Sequence, residues 1–137
     1  LGGQASSAIV SRLLTDRSAK QSRVILPIGT NDVDTSGPTW WATIKTQLDR
    51  PIAHIGHSNW FWATPHRRAS WAVDSTYDLA TQYIIAAGIA EYGSAHVLDL
   101  RAVVDPAVDL ADDVHWDDSG HLAVKNAVSA KMTALGW

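Results

Sequence analysis

With 137 residues, the chain is long enough for one domain with one apolar core, and it reads as a single unit over residues 1–137. A net charge of -3 argues against a nucleic-acid binder, which would carry a basic face, and no run approaches the roughly 18 apolar residues that span a bilayer. The absence of cysteine removes thiol nucleophiles, disulfides and cysteine-ligated metals.

Gly2-Gly3 forms a tight loop whose N–H groups can point outward, ahead of a helix predicted over Gln4 to Asp16. Ala5, Ala8, Ile9 and Leu13 give that helix its apolar spacing, and Ser6 or Ser7 stands near its cap. Arg23 to Ile28 is a short continuous apolar run, the pattern of a strand buried on both faces of a parallel sheet. Pro27 would weaken a central strand, so the pairing is expected to change there. Gly29-Thr30-Asn31-Asp32 follows at the strand's C-terminal end, where open α/β sheets place their sites. Pro38 starts a second helix through Trp41, Ile44 and Leu48, closed by Pro51.

Ile52 to Gly56 is read as the next strand. Ser58 to Ser70, rich in aromatics, His, Arg and Pro and without periodicity, is read as a long loop near the site. Trp71 to Tyr92 is helical with Gly93 as its stop, and His96 to Leu100 is a further strand. Arg101 to Leu110 leads as a loop into Asp112-Asp113-Val114-His115-Trp116. Asp118 is expected to cap a last helix that runs to about Leu135. This alternation of helices and strands predicts an α/β fold, a parallel sheet with helices on both faces.

Asp112 and His115 carry the chemistry. A carboxylate three residues before a histidine, on a loop ahead of a helix, can orient the imidazole while the ring takes a proton from a nucleophilic hydroxyl. Three pieces then stand in order: Gly3 before a polar residue and a helix, Asn31 in Gly29-Thr30-Asn31-Asp32 after a buried strand, and Asp112-x-x-His115 before the last helix. In that order and at those separations the chain resembles the SGNH (GDSL-type) hydrolases, from the family's second motif block to its end. The resemblance implies a flavodoxin-like three-layer α/β/α sandwich whose first strand is missing from this chain. It implies His115 as general base, Asp112 as its orienter, and the Asn31 side-chain amide and Gly3 N–H as oxyanion donors. Such donors are each worth on the order of 3 kcal/mol of barrier. The family's nucleophilic Ser belongs to a Gly-Asp-Ser block on the first strand, and no serine here has that context.

Three explanations of the missing serine remain. The nucleophile lies upstream of Leu1 or on another chain, the protein is a non-catalytic relative, or another serine has been recruited. On the first, the activity is that of a serine esterase acting on an O-acetylated carbohydrate or a short acyl ester, without metal or cofactor. The alternative is a catalytically inactive binding module for glycan or protein, of the kind found in cell-surface or virion assemblies. A third reading takes His54, His57 and His66 as metal ligands, although their spacing fits no established ligand motif.

Each residue also has a plainer reading. Asn31 could cap a turn, Asp32 would brace its loop, Asp113 would be solvated, and His121 would pack on the last helix. Ser94 and Ser119 belong to a helix stop and a helix start. Trp60 or Trp62, on the long loop, could line a sugar or acyl pocket, and Trp116 would shape the site rim. Arg67-Arg68 reads as a solvated pair, with contact to an anionic substrate as the other reading.

Overall fold

The computed structural model describes residues 5–137. Its elements are α1 (Ser6–Thr15), a 3-10 turn (Arg17–Gln21), β1 (Val24–Pro27), α2 (Gly37–Ile55), β2 (Trp60–Ala63), α3 (Thr76–Tyr92), a short 3-10 turn (Ser94–His96), β3 (Val97–Leu98) and α4 (Asp118–Ala134). The three strands form one parallel sheet in the order β1-β2-β3. Val24 lies opposite Trp60, and Trp62 opposite Val97. The mixed α/β expectation therefore holds in its coarse form.

Two assignments are corrected. Ile52 to Gly56 is not a strand but the end of α2, which runs through Pro51. Trp40, Ile44, Leu48, Pro51 and Ile55 form one buried stripe, and proline's fixed φ suits a helix. That apolar stripe offsets the one hydrogen bond Pro51 cannot donate. Gly56, in the left-handed region at φ 70°, ends the helix.

The strand lies instead at Trp60–Ala63, within the stretch read as a loop. All four of its residues are buried, so no polar–apolar alternation marks it. Other boundaries move less. α3 begins at Thr76 because the Ser75 hydroxyl accepts the Asp78 N–H, and β3 is only two residues long. The cap of α4 is Asp117, not Asp118, since the Asp117 carboxylate accepts the Gly120 N–H at 2.9 Å.

Alternate residues of β2 enter two apolar clusters. Trp60 and Trp62 join Val10, Leu26, Trp40, Ile44, Leu48 and Ile84 from β1 and α1–α3. Phe61 and Ala63 join Leu98, Leu100, Val104 and Val124, with Val128 and Met132 of α4 packed against them. Trp62 is wholly buried and donates its indole N–H to the Ile28 carbonyl at 2.9 Å. Its ring passes so close to α3 that a Cβ on Gly88 would lie 2.5 Å from it, so that turn requires glycine.

β1 is an edge strand among the described residues. The Val24 N–H bonds the Asn59 carbonyl at 2.9 Å, which fixes the phase of the parallel ladder and turns the N–H and C=O of Ile25 toward the open edge. Pro27, which has no N–H to offer, stands on the same edge phase, as a strand proline should.

Candidate active site

The C-terminal ends of β1, β2 and β3 point to one side of the sheet, and three segments continue from them there. The first is Gly29–Asp32, after β1. Gly29 adopts φ 113°, and a Cβ on it would meet the Ile44 Cδ1 at 2.8 Å, so only glycine fits. Its carbonyl accepts the Asp32 N–H at 3.1 Å, closing a turn that presents Asn31 at the surface.

This turn is tied to the start of α1. Ser6, 1 % exposed, accepts the Gly29 N–H on its hydroxyl at 2.9 Å and donates that hydroxyl to the Asp32 carboxylate. Asp32 also accepts the Ser6 N–H, at 3.2 and 3.3 Å to its two oxygens. A helix begins with N–H groups that lack intrahelical acceptors. Here a carboxylate from another loop supplies one, since Ala5 at the N-cap has no side chain that could. Asp32 thus braces its loop as expected, and its partner is Ser6. Gly3, expected to donate to the same oxyanion as Asn31, lies outside the described residues.

The second segment holds Asp112 and His115. One Asp112 oxygen accepts the backbone N–H groups of Val114 at 2.8 Å and His115 at 2.7 Å. The other lies 2.8 Å from the His115 Nδ1. Those two N–H groups, His115's first, hold the Asp112 carboxyl well below the usual carboxylate range, and the imidazole adds to the effect. An ionised carboxylate at Nδ1 keeps the proton there and leaves Nε2 to accept another.

The loop is closed behind this pair. Ala111 donates to the His115 carbonyl at 2.8 Å, Asp117 donates to the Asp109 carbonyl at 3.0 Å, and Leu110 bridges Trp116. The side chains of Asp112 and His115 remain 58 % and 69 % exposed, so the dyad faces open space. Among the described residues no serine hydroxyl hydrogen-bonds His115.

The third segment, Thr64–Ser70, joins the other two. The Arg68 guanidinium donates to the Thr30 carbonyl at 3.1 Å. Ala69 donates to the Asp113 carbonyl at 3.1 Å, and the Ser70 N–H to the Asp113 carboxylate at 2.6 Å. Asp113 is therefore a loop brace rather than a solvated acid, and these Ser70 bonds lower its pKa. His66, 4 % exposed, donates Nε2–H to the Val114 carbonyl at 3.0 Å, and its burial lowers its pKa. Thr64, likewise buried, accepts the Leu100 N–H at 2.9 Å.

Several expectations are overturned. Trp60 and Trp62 line no pocket: they are 5 % and 0 % exposed because they belong to a central strand. Trp60 stacks on His96 at 4.3 Å, toward the opposite end of β2 from the site. Trp116, expected at the site rim, is half-buried and packs on His66 and His121. The three-histidine metal reading also fails. His54 and His57 donate to the Asp16 and Ala19 carbonyls before β1, whereas His66 follows the far end of β2. Among the described residues no group of three His, Asp or Glu could hold a metal.

Ser119 is a helix-start residue as expected, its hydroxyl bonded to Val108, Asp109 and Asp117. Sequence reasoning missed the roles of Ser6, His66 and Arg68. The signal for Ser6 was its place at the first turn of a helix that has no other capping side chain. In comparisons with known proteins, no family model, curated protein or solved structure matches this chain.

Proposed function

We propose that this chain supplies the base, its orienter and an oxyanion donor of an SGNH-type serine ester hydrolase. On this reading the two apolar clusters belong to a flavodoxin-like three-layer sandwich, and the nucleophilic Ser lies upstream of residue 1. The substrate is a carboxylic ester, an O-acetylated carbohydrate or a short acyl ester, and no metal or cofactor takes part. The Ser hydroxyl gives its proton to the His115 Nε2 as its oxygen attacks the ester carbonyl. Asn31 donates to the resulting oxyanion, and the imidazolium returns the proton to the leaving alcohol. Water then clears the acyl-enzyme by the same path.

The observation that carries this reading is the Asp112 carboxylate. One oxygen is pinned by two backbone N–H groups and the other meets the Nδ1 of an exposed imidazole at 2.8 Å. A purely structural Asx turn would need only the first half. His115→Ala in the intact protein is expected to abolish ester hydrolysis and labelling by a fluorophosphonate probe. Wild-type rates in that variant would reject the assignment. Absence of hydrolysis and labelling in the unaltered intact protein would favour the second reading, a catalytically inactive binding module. The observation behind that alternative is the lack of a hydroxyl partner on His115 among the described residues.

A further inference from the structure

Arg68 does not behave as one of a solvated pair of arginines. Its side chain is half-buried and crosses between the loop that presents Asn31 and the loop that presents His115. One terminal nitrogen donates to the Thr30 carbonyl, and the guanidinium lies 5.2 Å over the Trp71 ring. Among the described residues its buried Nε–H has no acceptor. Arg68 makes no ion pair among the described residues. On the adjoining loop, one carboxylate oxygen of Asp113 accepts the Ser70 N–H at 2.6 Å. The Arg68 charge is still felt there, lowering the pKa of both Asp113 and His66.

A guanidinium carries five N–H donors, and leaving one buried without an acceptor is costly. A residue that served only to staple Thr30 to Trp71 would not need a fixed charge. The chain as a whole is acidic, with 14 Asp and Glu against 11 Lys and Arg, so an unpaired, half-buried cation is not explained by a shortage of carboxylates. A planar cation beside a reacting centre is instead suited to a carboxylate or sulfate brought by the substrate.

We propose that Arg68 binds an anionic group of the substrate next to the scissile ester, so that the site selects acidic esters over neutral ones. This rests on the esterase reading. The test compares phenyl acetate with 4-acetoxybenzoate on the intact protein, following acetate release in wild type, Arg68→Gln and Arg68→Lys. Losing the bond to Thr30 lowers both rates. The preference for the anionic ester isolates the anion contact, because intrinsic reactivity cancels between variants. That preference is expected to fall about 10- to 100-fold in Arg68→Gln, the range of a hydrogen bond to a charged group, and to recover in part in Arg68→Lys. An unchanged preference overturns the proposal.

A measurement without turnover separates this proposal from the esterase reading. 4-Hydroxybenzoate is expected to raise the Tm of wild type saturably, but not that of Arg68→Gln. If His115→Ala retains full hydrolysis, the esterase reading falls and this binding result alone decides the anion site. No saturable shift in wild type, or an equal shift in both proteins, overturns it.

Discussion

On the esterase reading, Asp112→Asn separates the orienting role of the carboxylate from its role in shaping the loop. An asparagine can keep its carbonyl oxygen where Asp112 now accepts the N–H groups of Val114 and His115, so two of the three bonds survive. The third is inverted. An amide N–H₂ would face the His115 Nδ1, and the ring can meet that donor only by becoming an acceptor there, with its proton moved to Nε2. The base would then present a proton where it must accept one. In triads that share this logic, the wrong tautomer costs about 10⁴-fold in kcat, and a loss of that order is expected here for the intact protein. Nitrogen chemical shifts of His115 check the cause independently of any substrate: Nδ1 is expected to carry the proton in wild type, and Nε2 in Asp112→Asn. The reasoning is refuted if the tautomer switches while kcat stays within tenfold of wild type.

Two further substitutions test buried polar links of the fold. Asp78 is 0 % exposed and receives Arg101 at 2.8 and 2.9 Å, together with the Asp74 N–H at 2.9 Å. Arg101→Gln strands that buried charge and is expected to cost about 3–5 kcal/mol in urea unfolding, with Asp78→Asn recovering part of the loss in the double variant. The Arg101 hydrogen bonds lower the Asp78 pKa to about 2 from the model-compound 3.8. The native state therefore binds this proton less readily than the unfolded chain, a linkage worth about 2 kcal/mol. That stability is full above pH 3.8 and disappears as pH falls through about 2, and Arg101→Gln should flatten that acid limb. Ser6→Ala leaves the Gly29 N–H without its acceptor and Asp32 without a hydroxyl donor, which should cost about 1–3 kcal/mol by thermal unfolding. A change under a few tenths would mean that the Ser6–Asp32 contact does not hold α1 to the Asn31 loop.

The sequence made legible what depends on local chemistry. Asp112-x-x-His115 states its own geometry, because an Asx turn brings the third residue's ring back to the carboxylate. The Gly29 turn and the Gly93 stop follow from backbone freedom at a positive φ. What was not legible is what depends on partners distant in the chain. Trp60–Ala63 is buried on both faces, so its composition resembles an aromatic loop, and only β1 and β3 beside it make it a strand. Pro51 is a breaker by propensity, yet a helix stripe packed into the core carries it. Ser6 and Asp32 are 26 residues apart, and Arg68 and Thr30 are 38 apart. No spacing rule connects such pairs.

The open edge of β1 bears on where a nucleophile could stand. Val24 and Leu26 are 8 % and 1 % exposed, whereas Ile25, between them, is 38 % exposed and turns its N–H and C=O away from β2. An apolar strand with an unpaired edge is a liability in water, which proteins ordinarily remove by adding a strand or a cover. In the order β1-β2-β3 both β1 and β3 are edges among the described residues, and on the esterase reading the strand that carries the nucleophile would pair with β1, the edge that leads into the Asn31 loop. A parallel strand placed there ends beside Gly29, on the side of the sheet where Asn31 and His115 emerge. A serine at that end would stand against the loop that Ser6 and Asp32 hold, with His115 reached across the segment that Arg68 fastens.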